Sequence, residues 1–137
     1  MDDALVQAYL NTDYVIDDDI GIWVINIGNI EKTLSRYLHR QAQPTAAFIS
    51  AANPMSKLLS DKENAQRHQA LQQAVESLGV PFMQGYGAAQ QGDWPVEKSL
   101  FICNLSEQQA EQLARQFQQA AYVWVDDSGL VSLNTCS

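Results

Sequence analysis

Residues 46–78 read AAFISAANPMSKLLSDKENAQRHQALQQAVESL, and the fold turns on this stretch. Ala46, Ala47, Phe48 and Ile49 form an apolar run ending at Ser50, the pattern of a strand covered on both faces. Asn53-Pro54 breaks it, because the residue before a proline is pushed out of the right-handed helical region. Ser60-Asp61-Lys62-Glu63 is then a capping box. The Ser60 hydroxyl takes the Glu63 amide while the Glu63 carboxylate reaches back to Ser60. Asp61 and Glu63 also suit the positive end of the helix dipole. Gly79, free to take a positive φ, marks the end of the helix.

Wound at about 100° per residue, Leu71, Val75 and Leu78 make one apolar stripe on that helix. Projected back by one and two turns, the stripe lands on Asn64, Arg67 and His68. An amide and a guanidinium at core-facing positions need partners, water or a ligand, since burying them alone is costly. Two readings follow. In one, Asn64 and Arg67 line a pocket near Asn53 and hold something polar or anionic. In the other, they tie the Asn53 loop and a nearby carboxylate into a satisfied network. A phosphate is disfavoured. Helix starts attract anions, but Asp61 and Glu63 repel them here, and Lys57, Lys62 and Arg67 offset that only in part.

Composition narrows the field. With 137 residues, 46% of them hydrophobic, the chain reads as a single domain over 1–137, large enough for a substantial core. No apolar run approaches the ~20 residues of a membrane span. The opening MDDALVQAY is acidic and lacks a basic segment leading an apolar one, so no secretory signal is expected. Cys103 and Cys136 read as free thiols of a cytoplasmic protein. A net charge of −8 and a pI near 4.4 argue against nucleic-acid binding through a basic surface. That acidity fits solubility, a basic protein partner or nucleic-acid mimicry.

Ahead of the central unit, Leu5, Val6, Tyr9 and Leu10 predict a short helix over 2–10, started by Asp2 and Asp3. Residues 11–16 and 20–27 read as a hairpin whose turn is Asp17-Asp18-Asp19. Three successive aspartates lack the alternating spacing and closing glutamate of a calcium loop, so they read as a solvated turn. Residues 30–40 make a second amphipathic helix, with Ile30, Leu34, Tyr37 and Leu38 on one side and basic residues toward its end.

Beyond the central helix, residues 81–83 start a strand that dissolves into Gly85-Tyr86-Gly87. Residues 90–95 form a loop in which Trp94 packs over the core or stacks on a flat ligand. Residues 99–103 (SLFIC) are a further strand, with Glu97 just ahead of it. Glu97 is therefore a candidate partner for Arg67, and a buried bidentate pair accounts for both. Ser106 to Gln109 is a second capping box, opening a helix faced by Ala110, Leu113, Ala114 and Phe117. Residues 121–125 and 130–133 flank Asp126-Asp127-Ser128-Gly129, a hairpin. The sum is an α+β (mixed α/β) domain, a single sheet of about five to seven strands covered by about four helices.

Familiar chemistry is missing. His39 and His68 have no metal-ligand spacing, no cofactor is implied, and the nucleophile-elbow, P-loop and dinucleotide motifs do not appear. Cys103 has no basic neighbour in sequence to activate it. No catalytic residue is assigned and the reading is non-enzymatic. The one pair an enzyme has to offer is Glu97 as acid or base with Arg67 as anion clamp.

Phe48-Ile49-Ser50-Ala51-Ala52-Asn53-Pro54, then Ser60, Glu63-Asn64 and Arg67, then Trp94-Pro95, Glu97 and Ser99, occur in an order that resembles the bacterial domain-of-unknown-function 3293 family. Phe117 to Ala121 is similar to that family's Phe-Gly-Gln-Asn-Ala, with Gln119 at the glutamine. Gln118 and Ala120 depart from its glycine and asparagine. The resemblance implies that the polar residues reached by projection belong to a shared pattern, and implies no activity. The ligand-binding expectation is a polar centre of Asn53, Asn64, Arg67, Glu97, Ser99 and Gln119 holding a small polar or anionic ligand. Its rival is an acidic protein-interaction or regulatory module in which the same centre is purely structural.

Overall fold

The apolar run becomes an interior strand, β3 (Ala46–Ser50), hydrogen-bonded antiparallel on both sides. The computed structural model describes residues 1–18 and 21–136. Before β3 come α1 (Asp3–Leu10), β1 (Thr12–Asp18), β2 (Gly21–Ile25) and α2 (Lys32–Arg40). After it come α3 (Asp61–Leu78), β4 (Phe82–Ala89), β5 (Glu97–Cys103), α4 (Glu107–Gln116), β6 (Ala121–Val125) and β7 (Val131–Thr135). The strands form one antiparallel sheet in the order β2-β1-β4-β5-β3-β6-β7, and with the helices it makes an α+β fold. No helix among the described residues is long and apolar enough to cross a membrane.

The sheet curls. Gly28 N–H donates to the Val131 carbonyl at 2.8 Å, Val131 N–H to the Asn29 carbonyl at 2.9 Å, and Ile30 bridges Leu130. Chain leaving one edge strand is thus bonded to the other edge strand. Alternation along β3 and β5 then sorts side chains between two cores. Ala47, Ile49, Leu100 and Ile102 point outward, under Leu71 and Val75 of α3 and Ala110, Leu113 and Ala114 of α4. Phe48, Phe101, Val123, Ile25 and Val131 point inward with Leu34 and Leu38 of α2. Ser35 and His39 of α2 both reach the Asp127 carbonyl, which places α2 where β6 ends and β3 begins. The opposite end of the curl carries Ser50, Ser99 and Ala121, and there the site lies.

Both capping boxes form, Ser60 with Glu63 and Ser106 with Gln109, and Gly79 closes α3 at φ 71°. Four local expectations are corrected. Leu78 is 46% exposed, because α3 meets the sheet through Leu71 and Val75 and Leu78 is its last residue. Ile30 is exposed and bridges Leu130 ahead of α2. Asp17 and Asp18 do not form a turn; they pair with Ile22 and Gly21 inside the hairpin, and Asp19 lies outside the described residues. The strand at 82 does not dissolve at its glycines. A Cβ at Gly85 would lie 2.6 Å from the Val15 carbonyl and 2.9 Å from the Phe48 ring, so glycine is what lets β4 lie against both.

Candidate functional site

The polar residues gather around Asn53, just past β3. Asn53 holds a left-handed conformation, φ 46° and ψ 65°, which asparagine tolerates better than most residues. Pro54 keeps it out of the right-handed helical well, and the resulting backbone is left-handed rather than extended. Met55 and Ser56 follow, also at positive φ, so three residues within four carry strained backbone. Hydrogen bonds over-determine this loop. Asn53 N–H donates to Asn64 Oδ1 at 3.0 Å; Leu59 N–H and Asn64 Nδ2 both donate to Asn53 Oδ1 at 2.9 Å. Asn53 Nδ2 in turn donates to Glu97 Oε2 at 2.7 Å, and Trp94 Nε1 donates to the same oxygen at 3.0 Å.

Arg67 is used differently from expectation. Its Nε donates to the Ala51 carbonyl at 2.6 Å, one terminal nitrogen to the Phe117 carbonyl, and the other to Gln118 Oε1 at 3.3 Å. Among the described residues Arg67 and Glu97 form no ion pair. The reason is geometric. The end of β3 and the turn after α4 bring carbonyls to the guanidinium, while Glu97 points to the opposite side of the Asn53 loop, to an amide and an indole. Gln119 completes the centre. It is nine-tenths buried, and its Nε2 donates to the Ala52 carbonyl at 3.0 Å and the Phe117 carbonyl at 3.2 Å.

A cavity of about 590 Å³ opens on the other side of this network, at the uncovered end of the curl. Asn53, Glu97, Ser99 and Gln119 line it, with Trp94 from the loop before β5, Tyr9 from α1 and Tyr14 from β1. Asn64 and Arg67 do not reach it. The six residues expected to bind ligand are thus brought together in two groups: four on the cavity wall, two bracing that wall from behind.

Family comparison gives one finding. The model of the family described as "protein of unknown function" (DUF3293) matches residues 49–122, from the end of β3 to the start of β6. The chain belongs to the DUF3293 family. No curated protein and no solved structure matches it. The matched span holds every one of the six polar residues but leaves out α1 and β1, hence Tyr9 and Tyr14. Within this DUF3293 member, Gln118 sits at φ 59°, where the resembling pattern carries glycine. Its carbonyl accepts from Met55 N–H at 2.8 Å, so the left-handed turn survives without glycine.

Tyr9, Tyr14 and Trp94 are the wall residues that sequence reasoning placed in a helix, in a strand and in a loop without uniting them. No local signal joins them; they meet because β1 pairs with β4 and carries α1 over the end of the sheet. Burial, and secondarily the Glu97 charge, pushes the Tyr9 phenol up to about 12. Burial and then neighbouring Tyr9 raise Tyr14 as well, and its hydroxyl donates to the Tyr9 carbonyl at 3.0 Å. Both phenols therefore stay protonated at neutral pH. His68 lies away from the cavity, its Nε2 3.0 Å from Gln84 Oε1 and its Nδ1 without a partner among the described residues. Among the described residues no group of His, Cys, Asp and Glu is arranged to hold a metal ion.

Proposed function

We propose that this DUF3293 member is a cytoplasmic, non-enzymatic domain that binds a small polar ligand in the cavity at the open end of its curled sheet. One observation carries the reading: Glu97, Ser99 and Gln119 line a cavity of about 590 Å³ with hydrogen-bonding capacity that the network around Asn53 does not use up. Cavities of several hundred Å³ with a few convergent polar groups are the usual form of small-molecule sites. Strained backbone at Asn53, Met55 and Ser56 beside the wall adds support, since such strain concentrates at binding sites. The rival, an acidic interaction module with a structural polar centre, describes Asn53, Asn64 and Arg67 well but leaves the lining by Glu97, Ser99 and Gln119 without a purpose.

Small-molecule capture tests the proposal. The purified protein is equilibrated with a metabolite extract, freed of unbound solutes, and its retained compounds are identified by mass spectrometry. A compound held by the wild type and lost from Gln119→Leu supports the reading. Equal retention by both proteins, or none by either, overturns it and favours the interaction module, whose basic partner should instead elute as salt rises.

A further inference from the structure

Among the four wall residues Asn53, Glu97, Ser99 and Gln119, the hydrogen-bonding capacity left over is one-sided. Glu97 Oε2 accepts from Asn53 and Trp94, while Oε1 takes no donor among the described residues. Both protons of Gln119 Nε2 go to carbonyls, which fixes the sense of the amide and leaves its Oε1 without a donor. The Ser99 hydroxyl spends its proton on the Glu97 carbonyl at 3.2 Å, leaving lone pairs. Asn53 Oδ1 is already filled by Leu59 and Asn64. Three wall side chains thus present to the cavity acceptor capacity that no donor among the described residues fills. Among the described residues no Lys, Arg or His lines the cavity, and its single carboxylate is Glu97.

Resting on the binding role proposed above, we infer that the ligand is an organic cation: an amine or guanidinium whose N–H groups meet Glu97, Gln119 and Ser99 between Tyr9, Tyr14 and Trp94. Such a group supplies donors and a positive charge together, which a neutral polyol or a carboxylate cannot. Aromatic neighbours favour a cation further by the attraction between its charge and their π electrons. A net charge of −8 raises the local concentration of cations around the molecule. An anion would meet the Glu97 carboxylate with no opposing charge on the wall.

Matched probes separate charge from shape. Tryptamine, tryptophol and indole-3-acetate share one body with an ammonium, a hydroxyl or a carboxylate; 1,5-diaminopentane, 1,5-pentanediol and glutarate do the same on an aliphatic chain. Each is titrated into the ¹⁵N-labelled full chain while the Trp94 indole N–H resonance, a direct reporter on Glu97, is followed. The expected result is saturable movement with the amines and at least tenfold weaker binding by their neutral and anionic counterparts. Glu97→Gln keeps the acceptor for Asn53 and Trp94, so its spectrum should stay folded while amine affinity drops at least tenfold. Equal or tighter binding of the hydroxyl or carboxylate members overturns the cation but leaves the cavity as a binding site. No movement by any probe, or unchanged amine affinity in Glu97→Gln, overturns the inference; the first of these also counts against the binding role.

Discussion

Asn53 uses its backbone N–H and both ends of its side-chain amide, joining Asn64 and Leu59 on one side to Glu97 on the other. Its residue type was legible as a turn signal before proline, but its four-way role was not, since the partners lie six, eleven and forty-four positions away. Asn53→Ala removes the acceptor for Leu59 N–H and places a Cβ-bearing residue with no local hydrogen bond in the left-handed well. We expect it to cost about 2–4 kcal/mol, read from urea denaturation. Asn53→Gly should recover about 1 kcal/mol of that, the backbone part alone. A loss below about 1 kcal/mol in Asn53→Ala would mean that the loop is held by something else. Arg67 was legible as a polar intruder on an apolar stripe for a sound reason: a guanidinium so placed must find acceptors. Which acceptors it finds was illegible, because main-chain carbonyls leave no mark in a sequence.

Elements announced by local chemistry were read well. Both capping boxes, the glycine stop of α3, the 126–129 hairpin and the strand at β3 all depend on residues within a few positions of one another. β4 was misread because glycine signals both a turn and a close approach, and only the neighbours tell which. The two glycines of β4 should therefore respond differently to added bulk. At Gly85 the new Cβ meets backbone at 2.6 Å, whereas at Gly87 its nearest neighbour is Thr12 Cγ2 at 3.4 Å. Gly85→Ala should destabilise by about 1–3 kcal/mol or more, while Gly87→Ala should change stability by less than about 0.5 kcal/mol. Equal thermal midpoints for the two variants would contradict the packing of β4 against Val15 and Phe48.

The curl, and with it the cavity, depends on pairing that local patterns do not encode: residues 28–31 with 129–131, and a strand order that interleaves both halves of the chain. Sequence reasoning therefore reached Asn53, Glu97, Ser99 and Gln119 without the space they help to enclose. The inner core also sets an alkaline limit. Burial pushes the Cys103 thiol up to about 12, as it does the Tyr9 phenol, and raises Tyr14 too. In each case the folded state favours the protonated form. The stabilisation is complete below the unfolded values, ~8.5 for a thiol and ~10 for a phenol, and is lost as pH climbs from there toward the folded ones. The urea midpoint should be flat from pH 7 to about 8.5 and fall above it. Cys103→Ala, less stable throughout, should flatten the first part of that fall. A midpoint that holds steady through pH 10.5, about two units above the free thiol value, would contradict this account of the core.

The division of the polar centre into a cavity wall and a brace behind it is tested by denaturing two variants side by side. Arg67→Ala leaves the carbonyl of buried Ala51 without its donor, and should lose about 2–3 kcal/mol. Glu97→Gln retains an acceptor for Asn53 and Trp94 at a residue facing open space, and should lose less than about 1 kcal/mol. That ordering is the predicted result. Equal losses, or a greater loss in Glu97→Gln, would mean that Glu97 belongs to the brace and that the cavity has no polar wall held ready for a ligand.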